Sequence, residues 1–247
     1  MSKTIKDAVE ISVVVPVHNE AGNVEALMSE IDQALSGRAY EAVFVDDAST
    51  DGTRTALIGL RDRFPALRIV GHRTNAGQSR AIHNGVLAAR GRLVGTLDGD
   101  GQNDPADLPE MFRLLNRTDA PERLAFIQGR RVKRKDTAWK RYGSQIANAV
   151  RQRLLSDGTD DSGCGIKVFK REAFVGLPYF DHMHRYMAAL MKADGWATEF
   201  IEVNHRPRGA GTSKYTNFGR LWAAIADLTG VFWLIRRRRD FGGVDSL

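Results

Sequence analysis

Three groups of polar residues stand directly behind apolar, β-branched runs, where a strand would end, and each has the makings of a ligand site. Pro16-Val17-His18-Asn19-Glu20 closes the run Ile11 to Val17; Asp46-Asp47-Ala48-Ser49-Thr50-Asp51-Gly52-Thr53 follows Ala42 to Val45; Asp98-Gly99-Asp100-Gly101-Gln102-Asn103-Asp104 follows Leu93 to Leu97. Adjacent carboxylates at the end of a buried strand are costly unless hydrogen-bonded or turned toward a ligand. A nucleobase or ribose supplies N–H and hydroxyl donors suited to Asp47. Capping by Asn19, Asp51 or Thr53 is the plain alternative, and explains only some of these groups. Asp98 and Asp100 repel each other unless a cation bridges them. Hard oxygen ligands suit Mg²⁺ or Mn²⁺ shared with a diphosphate. The glycines around Asp100 allow backbone and ligand to approach closely.

The elements that must position these groups are read from periodicity. Val24, Leu27, Met28, Ile31 and Leu35 repeat at helical spacing after the first strand. Helices are expected near Thr53 to Arg63 and Gly77 to Ala89, a strand over Leu67 to Val70, and a helix start at Asp104-Pro105. This alternation predicts an α/β fold, a mainly parallel sheet with helices on both faces, and ligands at the strands' carboxyl ends. The second half is less regular. Strands are expected over Leu124 to Gln128, Lys167 to Phe174 and Thr198 to Val203, and helices over Thr137 to Leu155, Met183 to Ala193 and Asn217 to Ile235.

At 247 residues with 43% hydrophobic and 27% charged residues, the chain has the composition of a globular protein. Its net charge of +6 favours a polyanionic partner. Nucleic acid is the weaker choice, because the arginines cluster with apolar aromatics and no nucleic-acid-binding motif is present. The single cysteine, Cys164, excludes an internal disulfide and suits a reducing compartment. Met1 to Glu10 lacks the apolar core of a signal peptide. Leu221 to Ile235 is too short to span a bilayer, yet carries Trp222 and Trp233 and runs into Arg236 to Arg239. Such a helix suits a membrane interface, as does the basic segment from Arg130 to Arg153. A peripheral protein at the cytoplasmic, inner face of the membrane is expected, with room for a membrane-anchoring or oligomeric partner.

VVVPVHNE, VDDASTDGT, LDGDGQNDP and HRPRGAGTSKY, in that order, resemble glycosyltransferase family 2, in the branch of dolichyl-phosphate mannose synthases and bacterial polyprenyl-phosphate glycosyltransferases. The resemblance spans about Ile11 to Lys214 and implies a GT-A fold with a divalent metal. It divides the chain into a catalytic domain, 1–214, and a membrane-associating helix and basic tail, 215–247. By resemblance Pro16, His18, Glu20, Val45 and Asp47 hold the nucleoside, although the family usually has tyrosine at the place of His18. Asp98, Gly99 and Asp100 border the nucleotide-sugar, and Asp100 with Gln102 holds the metal. Arg131 lies near the transferring phosphates. Arg208 and Lys214 sit on a loop that closes over the diphosphate, and Ser213 of the same loop is expected, with Arg131 and Arg141, at the acceptor lipid's phosphate. Arg141, with Ser144 and Asn148, matches the basic segment beside the acceptor lipid's phosphate.

The expected reaction is an inverting, metal-dependent transfer from a nucleotide-sugar to polyprenyl phosphate. Such a phosphate is largely ionised near neutral pH and needs no strong base, whereas a sugar hydroxyl needs one. The alternative is a family 2 transferase acting on a hydroxyl of a glycan or glycolipid, with Asp161 as its base. Cys164 is expected to be structural, and His182 and His184 to be acceptor-side polar groups or plain surface.

Overall fold

Every apolar run named above forms a strand in the computed structural model, which describes residues 9–131, 151–159, 161–206 and 217–238 (backbone alone for 217–223). The first half runs β1 (Ile11–Val17), α1 (Val24–Ala34), β2 (Tyr40–Asp46), α2 (Thr53–Gly59), β3 (Leu67–Gly71), α3 (Gln78–Ala88) and β4 (Leu93–Thr96). A 3₁₀ turn, Pro105–Asp107, then leads into α4 (Leu108–Leu115). Asp104 caps that turn through Ala106 N–H at 3.0 Å, with Pro105 at its first position, as the Asp-Pro pair predicts. After β5 (Leu124–Arg131) come helical residues 151–155 (α5), β6 (Lys167–Lys170), α6 (Arg171–Val175), α7 (Met187–Ala193), β7 (Ala197–Val203) and α8 (Asn217–Arg237).

The seven strands form one sheet in the order β3-β2-β1-β4-β6-β5-β7, and β6 alone among them runs antiparallel to its neighbours. Both faces are covered. Val13 and Val15 pack with Leu27, Phe44 and Phe112 on one side; Val14, Val43 and Val45 pack with Ile82, Phe169 and Leu190 on the other. Burial on two faces is why these strands read as unbroken apolar runs instead of alternating ones. The chain leaves β1 toward β2 and β3 on one side and reaches β4 on the other. That reversal opens a crevice at the carboxyl ends of β1 and β4, the expected ligand position in such sheets.

Three expected elements differ. The strand expected over Lys167 to Phe174 stops at Lys170, which pairs with Leu93, the first residue of β4; with no partner beyond it, the chain turns into α6. The helix expected over Thr53 to Arg63 ends at Gly59. The one expected over Met183 to Ala193 is divided into a 3₁₀ turn, Met183–Arg185, and α7. Most of the basic helix expected over Thr137 to Leu155 lies outside the described residues.

Helix α5 is pinned by an ion pair between Arg151 and Asp157, both buried, and by Gln152 donating to the Thr159 carbonyl at 2.8 Å. Two further guanidinium nitrogens of Arg151 have no hydrogen-bond partner among the described residues, so Asp157 carries its compensation. Asp157→Ala would strand a buried charge and is expected to lower stability by about 3–5 kcal/mol. The urea midpoint checks this; an unchanged midpoint would contradict it.

Candidate active site

The loop after β1 is clamped to the loop after β2. Asn19, in the left-handed region with φ 59°, accepts from the amides of Thr50 (2.8 Å) and Asp51 (3.3 Å), so it joins loops and does not cap α1. His18 Nδ1 is 2.9 Å from the Asp47 carbonyl, and Glu20 N–H donates to Thr53 Oγ1 at 2.8 Å. Asp46 and Asp47 both serve inside the protein. Burial raises the Asp46 carboxyl, but Ser49 and the Arg54 guanidinium at 2.6 Å outweigh it and hold it below its ordinary value. The Asp47 carboxylate accepts from the amides of Ala76 and Gly77, each at 2.8 Å, and lies 2.7 Å from His72 Nδ1. It thereby fixes the start of α3 against the end of β2. Val45 is fully buried, with its side chain toward α3, and stands behind the site. Pro16 is likewise a buried strand residue.

The acidic loop after β4 is drawn under the end of β1. A side chain at Gly99 would meet the Pro16 carbonyl at 2.8 Å, so only glycine allows that passage. Asp98 N–H donates to Asn103 Oδ1 at 2.9 Å, and Asp98 Oδ1 accepts from Gln78 at 2.7 Å. Asp100 Oδ1 accepts from the Gln102 amide at 3.1 Å. The loop is stapled to the chain beyond β7: Asn103 bridges to His205, and Arg206 N–H donates to the Gln102 carbonyl at 3.0 Å. Arg206 also pairs with Asp104 at 2.6 Å and Glu30 at 2.8 Å. Thus the fold brings Asp98, Asp100 and Gln102 to the chain that leads into residues 207–216. Arg208, Ser213, Lys214 and Arg141 lie outside the described residues.

A cavity of about 310 Å³ opens beside Asp98, lined among others by Gln78, Arg131, Asp161, Lys167 and His184. Arg131 grips Asp161 with two guanidinium nitrogens at 2.7 and 2.5 Å and its backbone N–H at 3.1 Å. Burial pushes the Asp98 carboxyl up, and the neighbouring Asp100 adds to this against the pull of Lys167 and Arg131. Lys167 is 3% exposed and donates to the Cys164 carbonyl; burial pushes its ammonium down against the charges of Asp98 and Asp161. His184 lies 2.7 Å from Ser79 Oγ, and burial holds it well below its ordinary pKa, hence neutral. It is a cavity wall and not plain surface. His182 instead pairs with Asp227 of α8 at 2.8 Å. Cys164 is fully buried with its thiol pushed up to about 11 by that burial, which removes it as a nucleophile at neutral pH.

Gln78 and Lys167 are lining residues that sequence reasoning passed over. For Lys167 a signal existed: a single lysine in the run Ile166 to Phe169 is a charge inside a buried strand, which is rare without a partner.

A family model described as "Glycosyl transferase family 2" matches residues 12–176, from the start of β1 to the end of α6. The chain belongs to glycosyl transferase family 2. Among curated members of the family, it is 34% identical over 238 residues to a dodecaprenyl-phosphate galacturonate synthase of Rhizobium johnstonii, covering 93% of this chain and 68% of that one. It is 33% identical over 210 residues to an undecaprenyl-phosphate 4-deoxy-4-formamido-L-arabinose transferase of Pseudomonas aeruginosa, covering 83% of this chain and 60% of that one. The chain therefore spans about two thirds of these relatives' lengths. Solved structures carry the same fold at low identity. One is glucosyl-3-phosphoglycerate synthase of Mycobacterium tuberculosis with Mn²⁺, UDP-glucose and phosphoglyceric acid (TM-score 0.67, 18% identity, 96% of this chain and 83% of that one). Another is a Pyrobaculum calidifontis mannosyltransferase with GDP-mannose and Mn²⁺ (TM-score 0.62, 20% identity, 93% and 65%). The family 2 chain has the GT-A architecture: a mostly parallel sheet flanked by helices, with an acidic loop after β4.

Proposed function

We propose that this chain transfers a sugar, with inversion, from a nucleotide-sugar to polyprenyl phosphate, giving a lipid-linked sugar donor. The observation that carries this reading is the state of Asp161. An acceptor hydroxyl needs a base beside the reacting carbon, and the carboxylate in the cavity wall best suited to that role is instead held in a two-pronged Arg131 pair. A phosphate oxygen needs no such base, and the cations around the cavity favour it. The two curated relatives, both named for polyprenyl-phosphate products, point the same way.

In this reading Pro16, His18, Glu20, Val45 and Asp47 frame the nucleoside pocket. Asp98 and Gly99 border the sugar. Arg131 serves the phosphates from the cavity side, Arg208 and Lys214 from the other. Arg141 and Ser213 complete the acceptor site. The acidic loop suits Mg²⁺ or Mn²⁺. Among the described residues no cluster of three or more His, Cys, Asp or Glu is poised for a metal. Asp100 and Gln102 nonetheless supply hard oxygens beside a second acid, Asp98, which burial and mutual repulsion already disfavour as an anion. Mg²⁺ characteristically takes one or two carboxylates and completes its shell from substrate phosphates and water. Bound there, the ion would offset charge developing on the leaving diphosphate.

Helix α8 packs on the catalytic core through Val231, yet leaves Trp233 60% and Ile225 45% exposed. Arg236 and Arg237 lie over Phe232 (4.4 Å) and Trp233 (5.8 Å). Among the described residues no helix is long and apolar enough to cross a membrane. Exposed tryptophan beside arginine suits a headgroup region. We therefore assign residues 215–247 to docking on an anionic membrane surface at the cytoplasmic face, with 1–214 as the catalytic part. Transfer of label from nucleotide-sugars into organic-extractable polyprenyl phosphate tests the function. Lipid-phase label is expected; donor turnover without it would move the assignment to a glycan acceptor.

A further inference from the structure

We propose that the 3₁₀ turn Met183–Arg185 carries a site for the acceptor's phosphate, in which the Arg185 guanidinium and the His184 Nε2–H hold its oxygens at the cavity mouth. The inference rests on the lipid-phosphate reading above and adds two binding residues to it.

The charges of the lining single out Arg185. Arg131 is engaged by Asp161 in a two-pronged pair. Lys167 is buried, and the Asp98 and Asp161 carboxylates both act on it. Three cations thus stand against two carboxylates in the wall, and the third cation is Arg185. It is exposed, and its guanidinium makes no ion pair or hydrogen bond among the described residues. A planar fork of free donors at the rim of a cavity suits a phosphate, which it can hold through two N–H···O bonds.

His184, the residue before it, lines the same cavity. Its Nδ1 lies 2.7 Å from Ser79 Oγ, while its Nε2 has no partner among the described residues and is not sealed from the cavity. With the Ser79 hydroxyl donating to Nδ1, the proton of the neutral ring stands on Nε2 and offers a donor to the ligand. Burial, helped by the charges of Lys167 and Arg185, keeps that ring neutral. It therefore adds a donor beside the cations without a further repelling charge. The turn is also tethered to the helix assigned to the membrane. His182, with φ 62°, begins it and pairs with Asp227 of α8 at 2.8 Å. A phosphate carried by a lipid at that surface reaches this turn, whereas the donor's diphosphate belongs, by the same reading, with the metal at Asp100 and Gln102.

Calorimetry on the full chain tests this with farnesyl phosphate, farnesol, and UDP or GDP with Mn²⁺ as probes. The unaltered chain is expected to bind farnesyl phosphate about tenfold or more tightly than farnesol. Arg185→Gln should weaken farnesyl phosphate by about tenfold or more, and leave the nucleotide that binds within about twofold. Arg185→Lys, which keeps the charge and loses the fork, should fall between. His184→Ala should weaken farnesyl phosphate by about tenfold. His184→Gln, whose amide N–H reaches the place of Nε2–H, should recover most of that loss. Arg185 is exposed, so its variants should melt with the unaltered chain, and the test stands even where His184→Ala does not fold. Unchanged farnesyl phosphate binding in Arg185→Gln, or an equal loss of both ligands, overturns the proposal. A weakened nucleotide with unchanged farnesyl phosphate gives Arg185 to the donor's diphosphate and overturns it too. Farnesol bound as tightly as farnesyl phosphate by the unaltered chain removes the lipid-phosphate reading itself, and the proposal with it.

Discussion

Asp100→Asn is expected to reduce transfer by about 10³-fold or more while leaving the folded protein nearly as stable as before. The two effects separate because of how Asp100 is held. Its carboxylate accepts a hydrogen bond from the Gln102 amide at 3.1 Å, and an asparagine carbonyl can accept the same bond. The local loop should therefore survive, supported independently by Asn103 and by the staple to Arg206. What the amide cannot supply is the negative charge that a divalent ion requires. Loss of several kcal/mol of transition-state stabilisation from that ion corresponds to a rate loss of about three powers of ten. Steady-state transfer with Mn²⁺ and a thermal melt on the same preparation check both halves. Activity within tenfold of the parent would remove Asp100 from the metal site. A collapse of Tm would instead make it a structural residue.

Gly165→Ala should be nearly as damaging, by a different route. A methyl group there would meet Asn103 Oδ1 at 2.6 Å and come closer still to the Asp98 carboxylate, inside any distance real carbon atoms tolerate. Neither neighbour is a loose side-chain end. Asn103 holds the Asp98 amide at 2.9 Å, Asp98 holds Gln78 at 2.7 Å, and Gly165 itself accepts from Thr96 Oγ1 at 2.8 Å. Relief of the clash must displace Asp98 or the acidic loop, which in the proposed reaction border the sugar and the metal. Overpacking of this kind costs about 1–3 kcal/mol of stability. A misplacement near 1 Å in a catalytic arrangement costs about 10²-fold in rate. Expected together are a lowered urea midpoint and a hundredfold loss of turnover. A fully active Gly165→Ala would mean that Asp98 need not hold the position seen here.

What could be read from the sequence follows from which signals are local. Strands β1, β2 and β4 are buried on both faces, so each stands out as an apolar run, and the acids placed behind them fall at the sheet's ligand edge by construction. The Asp104-Pro105 start is equally local and forms as expected. Partnerships between distant segments are not local. Nothing in Val45-Asp46-Asp47 indicates that Asp46 will pair with Arg54 while Asp47 fastens the 72–77 loop, because both carboxylates have the same chemistry in the sequence. The Arg131–Asp161 pair and the approach of Gln78, Lys167 and His184 to one cavity arise only when β5, β6, α3 and the 183–185 turn are assembled. The end of β6 at Lys170 likewise depends on where its partner β4 begins, which its own residues do not encode.

The central claim is that a lipid phosphate, not a hydroxyl, attacks the sugar. The most direct test gives the enzyme one labelled donor and two acceptors of the same chain length, polyprenyl phosphate and the corresponding polyprenol, in the presence of Mn²⁺. Label should enter the organic phase with polyprenyl phosphate only, since the Asp161 carboxylate that would serve as base for an alcohol is held by Arg131. Comparable labelling of the polyprenol would contradict the account: the site would then activate a hydroxyl, and Asp161 would have to leave Arg131 to do it.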